Sequence, residues 1–171
     1  MRRFVFSVVF GSLLVTAAVS QPAPPNPASC GPENANFKVK LDNKQHTLEP
    51  PDSGKARVYF IHDAGTDHTL GYPTVKMAVD GAWVGANHGN SYFSVSLSPG
   101  EHHVCVGLQS SLVEQRYELT HFTAAPETVY YYRTRLVVSR AVELLELVAI
   151  DSDQGKYLIS SVPLGISSPK K

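Results

Sequence analysis

Between Val79 and Val106 the chain alternates apolar and polar residues in two runs, punctuated by Asp80-Gly81 and Pro99-Gly100. A period of two matches a pleated strand, whose successive side chains point to opposite faces. Asp-Gly supplies the positive φ angles that a tight hairpin turn needs. The pattern predicts two hairpins of a mainly β fold, a single antiparallel β-sandwich. It carries no reaction chemistry. Phe93, Val95 and Leu97 fall on one face of their run, and Tyr92, Ser94, Ser96 and Ser98 on the other. In the next run His102, Val104, Val106 and Leu108 oppose His103, Cys105, Gly107 and Gln109.

Shorter alternations extend the pattern. Phe37 to Leu41 reads as a first strand, and Lys55 to His62 as a second, with Ala56, Val58 and Phe60 on one face. Val75, Met77 and Val79 alternate, Tyr117 and Leu119 mark a further strand, and Val129 to Val138 makes a long one. Its Tyr130, Tyr131 and Tyr132 must occupy both faces. Val142 to Ile150 fits either a helical face or a buried strand. It is read as a strand because Asp151-Ser152-Asp153 follows, a turn with a helix N-cap. A short C-terminal helix is expected from about Asp153 to Ser161, weakened by Gly155 and stopped by Pro163.

The chain begins Met1-Arg2-Arg3, runs apolar from Phe4 to Val19 and leaves through Ala18-Val19-Ser20. This is the grammar of a secretory signal peptide, with cleavage expected after Ser20. An uncleaved N-terminal anchor is the alternative. The apolar run is short for a membrane span. Removing Arg2 and Arg3 leaves 13 basic residues against 15 acidic ones, a net of −2. That balance offers no clustered basic footprint and argues against nucleic acid as a partner. Residues 21–36 are rich in proline and form an arm or linker, residues 37–165 the sandwich domain, and residues 166–171 a C-terminal tail.

Only two cysteines are present, Cys30 and Cys105. In an oxidising compartment they are expected to form one disulfide. The predicted strand puts Cys105 opposite the apolar valines, so the bridge would fold the arm over the sheet's outer face. A redox or metal-binding thiol pair is the alternative.

The ordered pieces Gly54-Lys55-Ala56-Arg57-Val58-Tyr59-Phe60, Val79-Asp80-Gly81, Val84-Gly85, Ser91-Tyr92-Phe93, Pro99-Gly100-Glu101-His102 and Val129-Tyr130-Tyr131-Tyr132-Arg133 carry a resemblance. The stretch from about Gly54 to Ile150 resembles the exported bacterial family catalogued as domain of unknown function 2846. The Asp-Gly and Pro-Gly-Glu-His pieces are also similar to the envelope-associated β domains named after a Pro-Glu-Gly-Ala motif. Both resemblances imply a β-sandwich outside the cytoplasm. Neither implies a catalytic residue.

Seven histidines are the only hint of a site: His46, His62, His68, His88, His102, His103 and His121. His62-Asp63 and Asp67-His68 flank one polar loop, a donor set that suits zinc or copper, with His121 as a further ligand candidate. Solvated turn chemistry is favoured over a metal there. His102 and His103 are adjacent on a strand and point to opposite faces, so they cannot share an ion without a bulge. No His-Glu-x-x-His and no Gly-x-Ser-x-Gly occurs. Trp83 and the tyrosines would serve a carbohydrate-binding module only as an exposed flat row. The expected function is a non-enzymatic exported binding or structural module of the bacterial cell envelope, without a cofactor. Its partner would be an envelope protein or a glycan, met through loops such as Asp63–Tyr72 and Ala86–Asn90. A metal-binding protein and a carbohydrate-binding module are the alternatives.

Overall fold

The computed structural model describes residues 27–44, 46–65, 74–109, 116–139 and 142–170. The expected leader, residues 1–20, lies outside them, as does the start of the arm. In chain order the strands are β1 (Phe37–Asp42), β2 (Ala56–His62), β3 (Thr74–Val79), β4 (Ala82–His88) and β5 (Ser91–Leu97). They continue with β6 (Gly100–Gln109), β7 (Tyr117–Ala124), β8 (Val129–Ser139) and β9 (Val142–Ile150). The helix α1 (Ser152–Ser161) and β10 (Leu164–Pro169) follow.

Two sheets pack face to face as a sandwich. A six-stranded sheet runs β1-β10-β5-β2-β8-β9, and a four-stranded sheet runs β4-β3-β6-β7. Register partners share a face, so the core is built in rows. Val95, Val58 and Tyr130 make one row, and Phe93, Phe60 and Tyr132 the next. They meet Val75, Met77, Val79, Val104, Val106 and Leu108 from the four-stranded sheet. The opposite faces follow by alternation. Tyr59, Ile61, Tyr92 and Tyr131 form a second cluster under Ile159 of α1.

Asp80 (φ 51°) and Gly81 (φ 81°) turn β3 into β4, the hairpin that Asp-Gly predicts. Pro99-Gly100 departs from expectation. β5 pairs with β2 and β10, while β6 pairs with β3 and β7. The turn is therefore an arch from one sheet to the other, not a hairpin. Alternation marks a strand but does not say which neighbour takes its hydrogen bonds. The sandwich is also not wholly antiparallel, because β2 lies parallel to β8 and β10 parallel to β5.

The expected tail is corrected as well. Residues Leu164–Pro169 form β10, paired antiparallel along all of β1. This pairing joins the two ends of the domain, so no local signal announces it. α1 begins at Ser152, capped by Asp151, whose Oδ1 accepts from Asp153 N and Gln154 N at 2.9 Å each. Gly155 is not merely a weakness in that helix. A Cβ there would overlap the Tyr131 ring, so glycine is what lets the helix lie on the sheet.

Candidate functional site

The third core row changes character. Ser91, His62 and Thr134 follow the two apolar rows across β5, β2 and β8, and all three are buried. Buried Asn87 reaches in from β4, donating through Nδ2 to Phe60 O (3.0 Å) and accepting from Ser91 Oγ (3.2 Å). Thr134 Oγ1 donates to Ile61 O at 3.4 Å, so His62 Nδ1 carries the proton and donates to Thr134, 3.0 Å from Oγ1. The Nε2 lone pair then faces the interior with no partner among the described residues. Burial drives the His62 pKa down to about 4, against the upward pulls of Thr134 and Asp63.

His62 is thus a buried, neutral histidine at the end of β2, before the loop it was expected to flank. His121 lies exposed on β7 of the other sheet, opposite His103 with ring centroids 6.0 Å apart. His68 lies outside the described residues. Among the described residues, no three His, Cys, Asp or Glu side chains are grouped to hold a metal ion.

Cys30 and Cys105 are bonded, and both are buried. The bridge sits on the outer face of the four-stranded sheet with Ala78, Trp83 and Tyr117. It fixes the described part of the arm, residues 27–36, which is hydrogen-bonded to the sheet at three points. Gly81 N donates to Ser29 O (3.1 Å), Trp83 Nε1 to Pro32 O (2.8 Å), and Lys76 Nζ to Ala35 O (2.8 Å). The Lys76 ammonium also stands 4.5 Å from the Trp83 ring centroid. Trp83 therefore serves the arm. Tyr59, Tyr92, Tyr131 and Tyr132 are buried, so with Trp83 they form no exposed flat row.

His102 and Asp80 lock the same end of the sandwich. His102 Nδ1 lies 2.7 Å from Asp80 Oδ2, and Nε2 lies 2.8 Å from Ser98 O. His103 N donates to Asp80 Oδ1 at 2.9 Å. The next residue after Asp80 receives the arm at Ser29 O. One carboxylate thus ties together the β3–β4 turn, the β5–β6 arch and the arm's landing point.

A cleft of about 490 Å³ opens on the other side of the molecule, between the β1–β2 connection and α1. Lys44 and His46 come from the connection, and Lys156, Ser160 and Ser161 from one side of the helix. Tyr92, Ile159, Leu48 and Val162 supply an apolar wall. Both serine hydroxyls donate to Tyr157 O, at 2.7 and 3.1 Å, so neither is paired with a base. Sequence reasoning did not single out Lys44 or Lys156, and it counted His46 only as one of the seven histidines. They are exposed or half-exposed, carry no periodic signal, and meet only because the β1–β2 connection and α1 lie against the same sheet.

No family model matches this chain, and neither a curated protein nor a solved structure matches it.

Proposed function

We propose that the protein is a non-enzymatic binding module exported to the bacterial cell envelope, with the α1 cleft as its recognition site. The observation that carries the reading is the Cys30–Cys105 bond. Both cysteines are committed to one bridge that staples a proline-rich arm to the domain. Such bridges form and persist in oxidising compartments. The leader-like residues 1–20 and the motif order resembling the exported family point the same way. No helix among the described residues is long and apolar enough to cross a membrane.

Binding is preferred over turnover because the cleft offers cations, an amide and an apolar wall. Its serine hydroxyls are occupied by Tyr157 O. Fractionation of a bacterium expressing the full chain tests the export claim. The protein is expected outside the cytoplasm, shortened by its leader. A full-length chain confined to the cytoplasm would overturn the reading.

A further inference from the structure

The cleft has an uneven charge. The chain balances 15 basic against 15 acidic residues, yet among the described residues lining the cleft there are two lysines, a histidine and no carboxylate. Neither Lys44 nor Lys156 makes an ion pair among the described residues, and both are exposed. The nearest acid in sequence, Asp42, is held by its own turn. Its Oδ1 accepts from Lys44 N at 3.0 Å, and Oδ2 lies 3.4 Å from His46 Nε2. The His46 contact is at ion-pair distance but lacks hydrogen-bond geometry, and that buried nitrogen has no other partner among the described residues.

Exposed lysines continue onto the sheet, on a face that Asp42 shares. Lys38 and Lys40 are exposed on β1, in register with Ser168 and Ile166 of β10. Those positions share the face of Leu164, which packs on the Tyr92–Ile159 cluster beneath α1. Lysines in a concave site raise the local concentration of anions, and lysine binds phosphate as a point charge. The apolar wall of Leu48, Ile159 and Val162 sits within the same cleft.

We propose that this cleft binds a small anion, a phosphate or carboxylate carried on an apolar stem, with Lys44 and Lys156 contacting the charge. The inference rests on reading the protein as a binding module. Its test is separable from the export test, since either can fail while the other stands.

The experiment follows backbone amide shifts of the full mature chain by NMR while butyl phosphate is added. Inorganic phosphate and butanol are the controls. Saturable shifts are expected at Asn43, Lys44, Lys156 and Ser160, weaker with inorganic phosphate and absent with butanol. Binding should weaken about threefold in Lys44→Gln or Lys156→Gln and about tenfold in the double variant, as for partly exposed ion pairs. Raising salt should weaken it too. The arginine double variant should restore it, and unchanged shifts elsewhere report that each variant is folded. Co-sedimentation with phosphatidylglycerol vesicles identifies the source of the anion. Lysine-dependent binding to vesicles alone assigns a lipid headgroup, and binding to butyl phosphate alone assigns a free ligand. Shifts that ignore both lysines, equal shifts with butanol, or no saturable response to either probe would overturn the proposal.

Discussion

His102 and Asp80 form a contact that settles the charge of the imidazole. Both ring nitrogens of His102 face acceptors, Asp80 Oδ2 at 2.7 Å and Ser98 O at 2.8 Å. A neutral ring donates only once, so making both bonds requires the imidazolium. The clamp that holds the β3–β4 turn against the arch is therefore a protonated one.

Its pH dependence follows. Burial pulls the His102 pKa down, but the Ser98 carbonyl and the Asp80 carboxylate outweigh it and the net shift is upward. For Asp80, the bonds from His103 and His102 outweigh burial and the net shift is downward. The His102 contribution is thus complete below the unfolded value near 6.5 and fades as pH rises through the raised folded value. Asp80→Asn keeps a residue that tolerates the positive φ of the turn but removes the charge. It should cost about 1 kcal/mol near pH 6 and less at pH 9, for a charge-assisted bond to a half-exposed carboxylate. Urea unfolding at the two pH values checks this, and an equal loss at both would refute the clamp.

His62 works in the opposite direction. Its folded pKa is lowered to about 4 from 6.5, so the unfolded chain binds more protons between those values. Stability should rise with pH across that window and level off above it, by about 3 kcal/mol in total for a shift of this size. Titration of the His62 ring protons by NMR, alongside urea midpoints from pH 4 to 7, measures both sides. A His62 that titrates near 6.5 in the folded protein would contradict its place in the buried row.

The staple can be removed cleanly. Cys30→Ser with Cys105→Ser opens a loop spanning a sequence separation of 75. The loss should be about 2–5 kcal/mol, the usual range for a native bridge in a small exported domain. The Trp83 indole N–H, which donates to Pro32 O, and the Gly81 amide, which donates to Ser29 O, should then exchange faster than the amides of the core strands. Unchanged stability would mean that those hydrogen bonds alone hold the arm.

Gly155→Ala offers a test of sign. In an exposed helix this change stabilises by roughly 1 kcal/mol. Here the added methyl meets the Tyr131 ring, so the helix must lift or the ring must turn. A destabilisation of about 1–3 kcal/mol is expected, as for overpacking. A gain in thermal midpoint would show that α1 does not lie on Tyr131.

Much of this architecture is legible in the chain because a period of two is a local signal. The alternation of Val104, Cys105 and Val106 places the disulfide on the outer face before any pairing is known. Asp151 announces the helix, and three consecutive tyrosines divide between the faces, Tyr131 outward and Tyr130 and Tyr132 inward. What escapes is non-local. Pro99-Gly100 looks the same whether it closes a hairpin or crosses between sheets. The short strand Leu164–Pro169 exists because β1 is there to receive it. His62 could have been placed, since it continues the face of Ala56, Val58 and Phe60, but its polarity and the following Asp63 make it resemble a loop ligand. The cleft lysines are surface residues, and only the packing of the β1–β2 connection beside α1 brings them together.

The central claim is an exported domain closed by one bridge, and intact mass tests it most directly. The protein is produced from its full reading frame in a bacterium, isolated without reductant and denatured in the presence of a thiol alkylating agent. The account predicts a chain starting near Gln21, two hydrogens lighter than its reduced form and carrying no alkyl group. A chain that keeps Met1 to Ser20 and takes up two alkyl groups would contradict it.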